Sequence, residues 1–186
     1  MSQEFNFYPP SIDDGWAVSQ LISACPPLDT NSAYCNLLQC HHFASTSVAV
    51  RRHDELVGFI SAYRVPDKPE TLFIWQVAVA KSARGQGLAS KMIEQILQRE
   101  ACESVRFIET TITQANEASW ALFSRIARRY GAPLSSNDLF TKEKHFSGQH
   151  DTELLVTIGP LERSADTTSE DTPVSAVTPQ QKEARA

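Results

Sequence analysis

The chain has 186 residues, 41% of them hydrophobic, with 17 basic and 22 acidic residues for a formal net charge of −5. That length supports one domain with a real core, and the interspersed charge argues against nucleic acid or an anionic membrane as main partner. No basic-then-apolar N-terminal segment and no membrane-length apolar run are read, so a cytoplasmic chain is expected.

The pairs Arg51-Arg52 and Arg128-Arg129 are the basic clusters, and neither is flanked by the stacking aromatics of a nucleic-acid platform. Without a secretory signal, Cys25, Cys35, Cys40 and Cys102 are expected to be free thiols. Cys35, Cys40, His41 and His42 fit no common zinc spacing, so no metal site is expected.

In chain order, Phe5–Tyr8 is a short strand ended by Pro9 and Pro10. Ser11–Asp14 caps a helix reaching Ser23, with apolar residues at 16, 18, 21 and 22. Asp29–Ser32 supplies caps for a second helix through about His42. Thr46–Arg51 and Glu55–Tyr63 read as a hairpin turning at His53-Asp54, and Pro66–Pro69 as a loop. Thr71–Val79 is too apolar for a half-exposed strand and predicts a central one. The next helix lines up Leu88, Met92, Ile93, Ile96 and Leu97, with Lys91, Glu94 and Arg99 outside. Val105–Thr111 is a strand, Asn116–Arg129 a helix, Leu134–Thr141 a weak strand and Glu153–Ile158 a final one. This order predicts an α/β fold with one mixed sheet and helices on both faces. From Glu162 onward the chain has no aromatic, Leu, Ile or Met and is rich in Ser, Thr, Pro and Glu. The expected division is a domain over residues 1–161 and a disordered tail over 162–186.

Ala83-Arg84-Gly85-Gln86-Gly87-Leu88-Ala89 joins the central strand to its helix. Converging backbone N–H groups and a helix N-terminus suit an anion such as a pyrophosphate, although a plain tight turn would also use two glycines. No Gly-Lys-Ser/Thr follows and the third glycine of a dinucleotide fingerprint is missing.

Arg84–Ala89 resembles the R/Q-x-x-G-x-G/A motif of the GCN5-related N-acetyltransferases, and Asn116–Phe123 resembles that family's next motif. The likeness extends, over about residues 5–160, to the L-2,4-diaminobutyrate acetyltransferases of ectoine biosynthesis. It is carried by Pro26–Tyr34, Cys40–Phe43, Leu56–Ser61, Leu72–Val79 and His145 with His150–Leu155. The resemblance implies a GNAT fold, acetyl-CoA as co-substrate, a small diamino acid as acceptor and a homodimer. It assigns cofactor contacts to Val77, Ala78 and Val79 through their backbone, to Arg84, Gly85, Gln86, Gly87, Leu88 and Ala89, and to Asn116, Ser119 and Phe123.

It also implies that Asp29 and Glu153 bind the amines, with Trp75 as an aromatic wall and Glu153 as candidate proton acceptor. Each has a plainer alternative: a helix cap for Asp29, core for Trp75, a solvated strand edge for Glu153. Glu109 is the rival carboxylate. Many acetyltransferases of this fold place a Tyr where Phe123 stands, which leaves the acid for the thiolate unassigned: Tyr34 is a candidate, and departure of the thiolate without an enzymatic acid is the alternative. Arg64 is left as a solvated loop arginine. The alternatives are an acetyltransferase for another small diamine or amino acid, or a non-catalytic acyl-CoA-binding module.

Overall fold

Near-continuous apolar strands let a single sheet bury both faces at once. The computed structural model describes residues 4–162; beyond Glu162 itself, the expected tail lies outside the described residues. The strands are β1 (Phe5–Tyr8), β2 (Val48–Arg52), β3 (Glu55–Val65), β4 (Lys68–Val79), β5 (Phe107–Thr113), β6 (Leu134–Phe140) and β7 (Glu153–Ile158). They form one seven-stranded sheet in the order β1-β2-β3-β4-β5-β7-β6. Only the β4–β5 pair is parallel.

Helices α1 (Gly15–Ser23) and α2 (Ala33–His42) cover one face, and α3 (Leu88–Leu97) and α4 (Glu117–Arg129) the other. Val18, Leu21 and Ile22 of α1 and Cys40 of α2 pack on Ala49, Phe59 and Ala78. The stripe Leu88, Met92, Ile93, Ile96 and Leu97 packs with Phe123, Ile126 and Ala127 on Val48, Val50, Ile60, Leu72 and Ile74. Burying each such large side chain contributes about 1.5–3 kcal/mol. Gly58 lies tightly under α3: a Cβ there would stand 3.0 Å from Met92 Sδ and 3.2 Å from Val50 Cβ.

The mixed sheet with helices on both faces is as expected; several local details differ. β4 starts at Lys68, inside the expected loop, because it runs past the first β5 partner and Pro69 meets no β5 residue there. β5 starts at Phe107, since the Val105 N–H closes a turn on the Cys102 carbonyl, and it runs to Thr113 because Glu153 of β7 pairs there. Arg99, expected outside, is half-buried beyond the end of α3 and donates to the carbonyls of Ala44, Ser45 and Ser47. Arg64 lies on β3, bonded to the Pro69 and Ala101 carbonyls and to Ser104 Oγ. A fifth helix, α5 (Lys142–Phe146), was not foreseen. The four cysteines are free, and burial pushes the Cys40 thiol up to about 12. No cluster that could hold a metal ion, and no helix long and apolar enough to cross a membrane, occurs among the described residues.

Near the β1 edge, Asp14 ties three elements together. Its carboxylate accepts from Tyr8 Oη at 2.9 Å, Arg51 Nη2 at 3.1 Å and the Ser11 N–H at 3.0 Å. Burial raises its pKa, but the Ser11 N–H, Arg51 and Tyr8 outweigh that and hold it below the ordinary carboxylate value. A depressed pKa adds stability above the unfolded value that is lost as pH falls through the folded one. Asp14→Ala should therefore cost about 2 kcal/mol at neutral pH, removing the acceptor of Tyr8 Oη and of Arg51 Nη2. That corresponds to a thermal midpoint lower by about 4–8 °C. Calorimetry at pH 7 checks this, and the gap to the parent should narrow in acid.

Candidate active site

β4 is the strand that shapes the site, and it does so by breaking register. Gln76 faces Ser61 and Ile74 faces Ala62, which leaves Trp75 as an extra residue in a bulge. Leu72 and Ile74 point to the α3/α4 core, whereas Ala78 points to the α1/α2 core. The bulge thus reverses the alternation and puts Trp75 and Gln76 together on the α1/α2 face. Trp75 is 43% exposed, not core, and meets Tyr63 edge-on at 6.4 Å. Tyr63 lies between Phe43 and Phe73 at 5.3 Å from each, and burial, with the Glu109 charge second, raises its pKa.

The same strand opens on its other side. β5 pairs with β4 only at Thr71, Leu72 and Phe73. Beyond Phe73 the two part, and Ile74–Val79 keeps only its β3 partners. The Ala80 N–H donates to the Val57 carbonyl of β3 at 2.9 Å. By strand alternation the Ala78 N–H faces β3 too, and those of Val77 and Val79 face the opening.

The glycine turn follows directly. Gly85 and Gly87 have φ of +75° and +70°, a left-handed conformation that L side chains rarely adopt, and a Cβ on either would meet no protein atom within 4 Å. The glycines are therefore required by backbone conformation. Gly87 caps α3, and the first helical bond is Lys91 N–H to the Gly87 carbonyl at 3.1 Å. The N–H groups of Leu88, Ala89 and Ser90 have no carbonyl one turn behind them. Arg84 is exposed and donates through Nε to the Val79 carbonyl at 3.0 Å; Gln86, also exposed, makes one long bond to the Ser82 carbonyl at 3.4 Å. This turn fits the pyrophosphate of a coenzyme A thioester: exposed backbone, a helix N-terminus and a nearby guanidinium.

Across the opening, Asn116 caps α4, its Oδ1 accepting from the Ser119 N–H at 3.1 Å. Phe123, expected to border the cofactor, is 2% exposed in the core, because it lies on the inner face of α4 with Ile126 and Ala127. Ala78 and Leu88 are also buried, but there the expected contact is main-chain.

The candidate carboxylates come from separate parts of the chain. Glu153 opens β7, paired with Thr113 of β5 and Phe140 of β6, its side chain 19% exposed. His150 Nε2 lies 3.8 Å from its Oε1. Burial raises the Glu153 pKa and the charge of Asp29 adds to the rise; His150 and the Thr111 hydroxyl oppose it. The charge of Asp29 thus reaches Glu153, although one precedes α2 and the other starts the last strand. Glu109, the rival carboxylate, is buried in an ion pair with Lys68 at 2.8 Å. Tyr34, in the first turn of α2, is 70% exposed. Gln76, which sequence reasoning passed over, donates to the Asp29 carbonyl at 2.5 Å and accepts from Asn31 Nδ2 at 3.1 Å. A lone amide in an apolar strand was the available signal.

The Acetyltransferase (GNAT) family profile matches residues 16–127. The chain is 53% identical over 152 residues to the L-2,4-diaminobutyric acid acetyltransferase of Methylotuvimicrobium alcaliphilum, covering 82% of this chain and 88% of that one. It is 47% identical over 154 residues to the enzyme of the same name from Halomonas elongata, covering 82% and 80%. Among solved structures it resembles the diaminobutyrate acetyltransferase EctA of Paenibacillus lautus, in complex with L-2,4-diaminobutyric acid and coenzyme A. The TM-score is 0.82 at 41% identity, covering 86% of this chain and 96% of that one. With the parted strands and the glycine turn in place, the chain belongs to the acetyltransferase (GNAT) family, and within it to the L-2,4-diaminobutyric acid acetyltransferases.

Proposed function

We propose that the protein transfers the acetyl group of acetyl-CoA to the γ-amine of L-2,4-diaminobutyrate, giving N-γ-acetyl-L-2,4-diaminobutyrate and CoA, a step in ectoine biosynthesis. The observation that carries this reading is a bulged β4 that parts from β5 beside a pyrophosphate-type turn, with Glu153 feeling the charge of Asp29. Two carboxylates suit an acceptor with two ammonium groups, and Trp75 gives its methylene chain an apolar wall.

Acetyl-CoA supplies the activated thioester. The backbone of Gly85–Ala89, Gln86 included, would hold its pyrophosphate with help from the Arg84 side chain. The Val77 and Val79 N–H groups line the opening for the pantetheine arm, with Asn116 and Ser119 opposite. Asp29 holds the α-ammonium, and Glu153 receives the γ-ammonium and takes its proton. An alkyl ammonium has a pKa of about 10, so a desolvated carboxylate with raised proton affinity narrows the gap for that transfer. Phe123 has no proton to give, so the thiolate either takes one from Tyr34, the candidate acid, or leaves unprotonated. The reading includes a cytoplasmic homodimer, in keeping with the edge positions of β1 and β6.

The α-amine and carboxylate form one charged handle, so only the outer nitrogen stands clear to meet the thioester. Product NMR after turnover should show the γ-acetyl isomer, with 2,4-diaminobutyrate preferred over ornithine, lysine and putrescine. The α-acetyl isomer would reverse the orientation, and acetyl-CoA binding without thiol release for any amine would mean a binding module.

A further inference from the structure

A glutamine inside a buried strand is unfavourable unless its amide is bonded. Gln76 is 6% exposed, and the residue facing it in register, Ser61, has its hydroxyl buried without a partner. The amide is directed instead to the segment between α1 and α2. Its nitrogen donates to the Asp29 carbonyl and its oxygen accepts from Asn31 Nδ2. Asn31 has φ of +51°, so the chain turns sharply just after Asp29. From the other side Asn36, fully buried in α2, donates to the Thr30 carbonyl at 3.2 Å and to Ser19 Oγ at 2.8 Å. Asp29–Asn31 is thus held between a β4 amide and an α2 amide.

We propose that Gln76 is a positioning residue for the amino-acid substrate, fixing the Asp29 carboxylate in place by clamping the Asp29–Asn31 backbone to the β4 bulge. This rests on the assignment of Asp29 to substrate binding. The bulge that presents Trp75 also turns Gln76 to the same face, so one irregularity sets both the aromatic wall and the height of the Asp29 loop. The clamp holds the Asp29 main chain and leaves its carboxylate free for the substrate.

The test compares Gln76→Met, similar in volume but unable to bond the loop, with Asp29→Ala and the double variant, alongside melting temperatures. Gln76→Met should raise the KM for diaminobutyrate by about tenfold to a hundredfold, as small misplacements do, with the acetyl-CoA KM unchanged. In the Asp29→Ala background the same substitution should add almost nothing, since the carboxylate it positions is gone. Asn31→Gly keeps the left-handed turn and removes one clamp bond. It should move the diaminobutyrate KM in the same direction by less, and it decides the matter should Gln76→Met fail to fold. An unchanged diaminobutyrate KM with a damaging Asp29→Ala would overturn the clamp alone. So would a parallel rise in the acetyl-CoA KM, or full additivity with Asp29→Ala. A silent Asp29→Ala would overturn the substrate assignment and the clamp with it.

Discussion

Gly87→Val should raise the KM for acetyl-CoA by about tenfold or more, which is a loss near 1.4 kcal/mol of binding. Two effects add. Gly87 sits at φ +70°, and a β-branched residue in the left-handed region strains the cap of α3. That cap sets the direction of the Leu88, Ala89 and Ser90 N–H groups, so relieving the strain turns them away from the anion. The new methyl groups also project into the open side of the turn, where main chain must approach phosphate oxygens. Gly87→Ala, with less backbone strain and less bulk, should fall between Val and the parent. Gln86→Ala should stay within about twofold, since the side chain is exposed and makes one long bond. The diaminobutyrate KM should hardly change in any of the three. Equal effects from Gly87→Val and Gln86→Ala would mean that the turn does not act through its backbone.

How much of this was legible in the sequence depended on the range of the interaction. The α3 stripe, the β2–β3 hairpin and the β7 strand are local patterns, and they emerged within two residues of the expected bounds. α5 was missed because Lys142–Phe146 carries no apolar stripe and none of its residues is buried. The bulge at Trp75 was not legible, because it is a register choice between β3 and β4 and neither strand encodes it alone. Taken as an unbroken strand, Leu72–Val79 made Trp75 a core residue as readily as a wall. Gln76 was hidden for the same reason: its partners lie in a loop that becomes a neighbour only after folding.

The candidate site divides along the same line. Gly85 and Gly87 announced their backbone role, because glycine pairs are costly without one. Asn116 was assigned from the motif to the pantetheine end; locally it is an N-cap, and a residue at the mouth of the opening can do both. Asp29 and Glu153 came from family likeness. No spacing in one chain announces that the segment before α2 and the start of the last strand will share an electrostatic environment. Phe123 shows the reverse limit, since a motif position on α4 says little about which way the helix turns it.

Glu153→Gln should lower kcat/KM for diaminobutyrate by more than about tenfold, since a charge-assisted contact is worth about 1.5–3 kcal/mol and the proton acceptor is removed with it. Acetyl-CoA binding should be nearly unchanged, because Glu153 stands on β7 and the cofactor turn on β4 and α3. The pH profile identifies the group. Burial, reinforced by the Asp29 charge, raises the Glu153 pKa, so the acid limb of kcat/KM should lie above the ordinary glutamate value in the parent. Asp29→Asn removes one raising influence and should move that limb down; Glu153→Gln should abolish it. Stability separates this from a packing defect. A carboxylate whose folded pKa is raised contributes stability below its unfolded pKa and loses it as pH rises through the folded value. At neutral pH the ionised Glu153 therefore weakens the fold, and the Gln variant should melt no lower than the parent. A fall in both activity and melting temperature would recast Glu153 as structural, and a near-silent variant would transfer the proton-accepting role to Glu109.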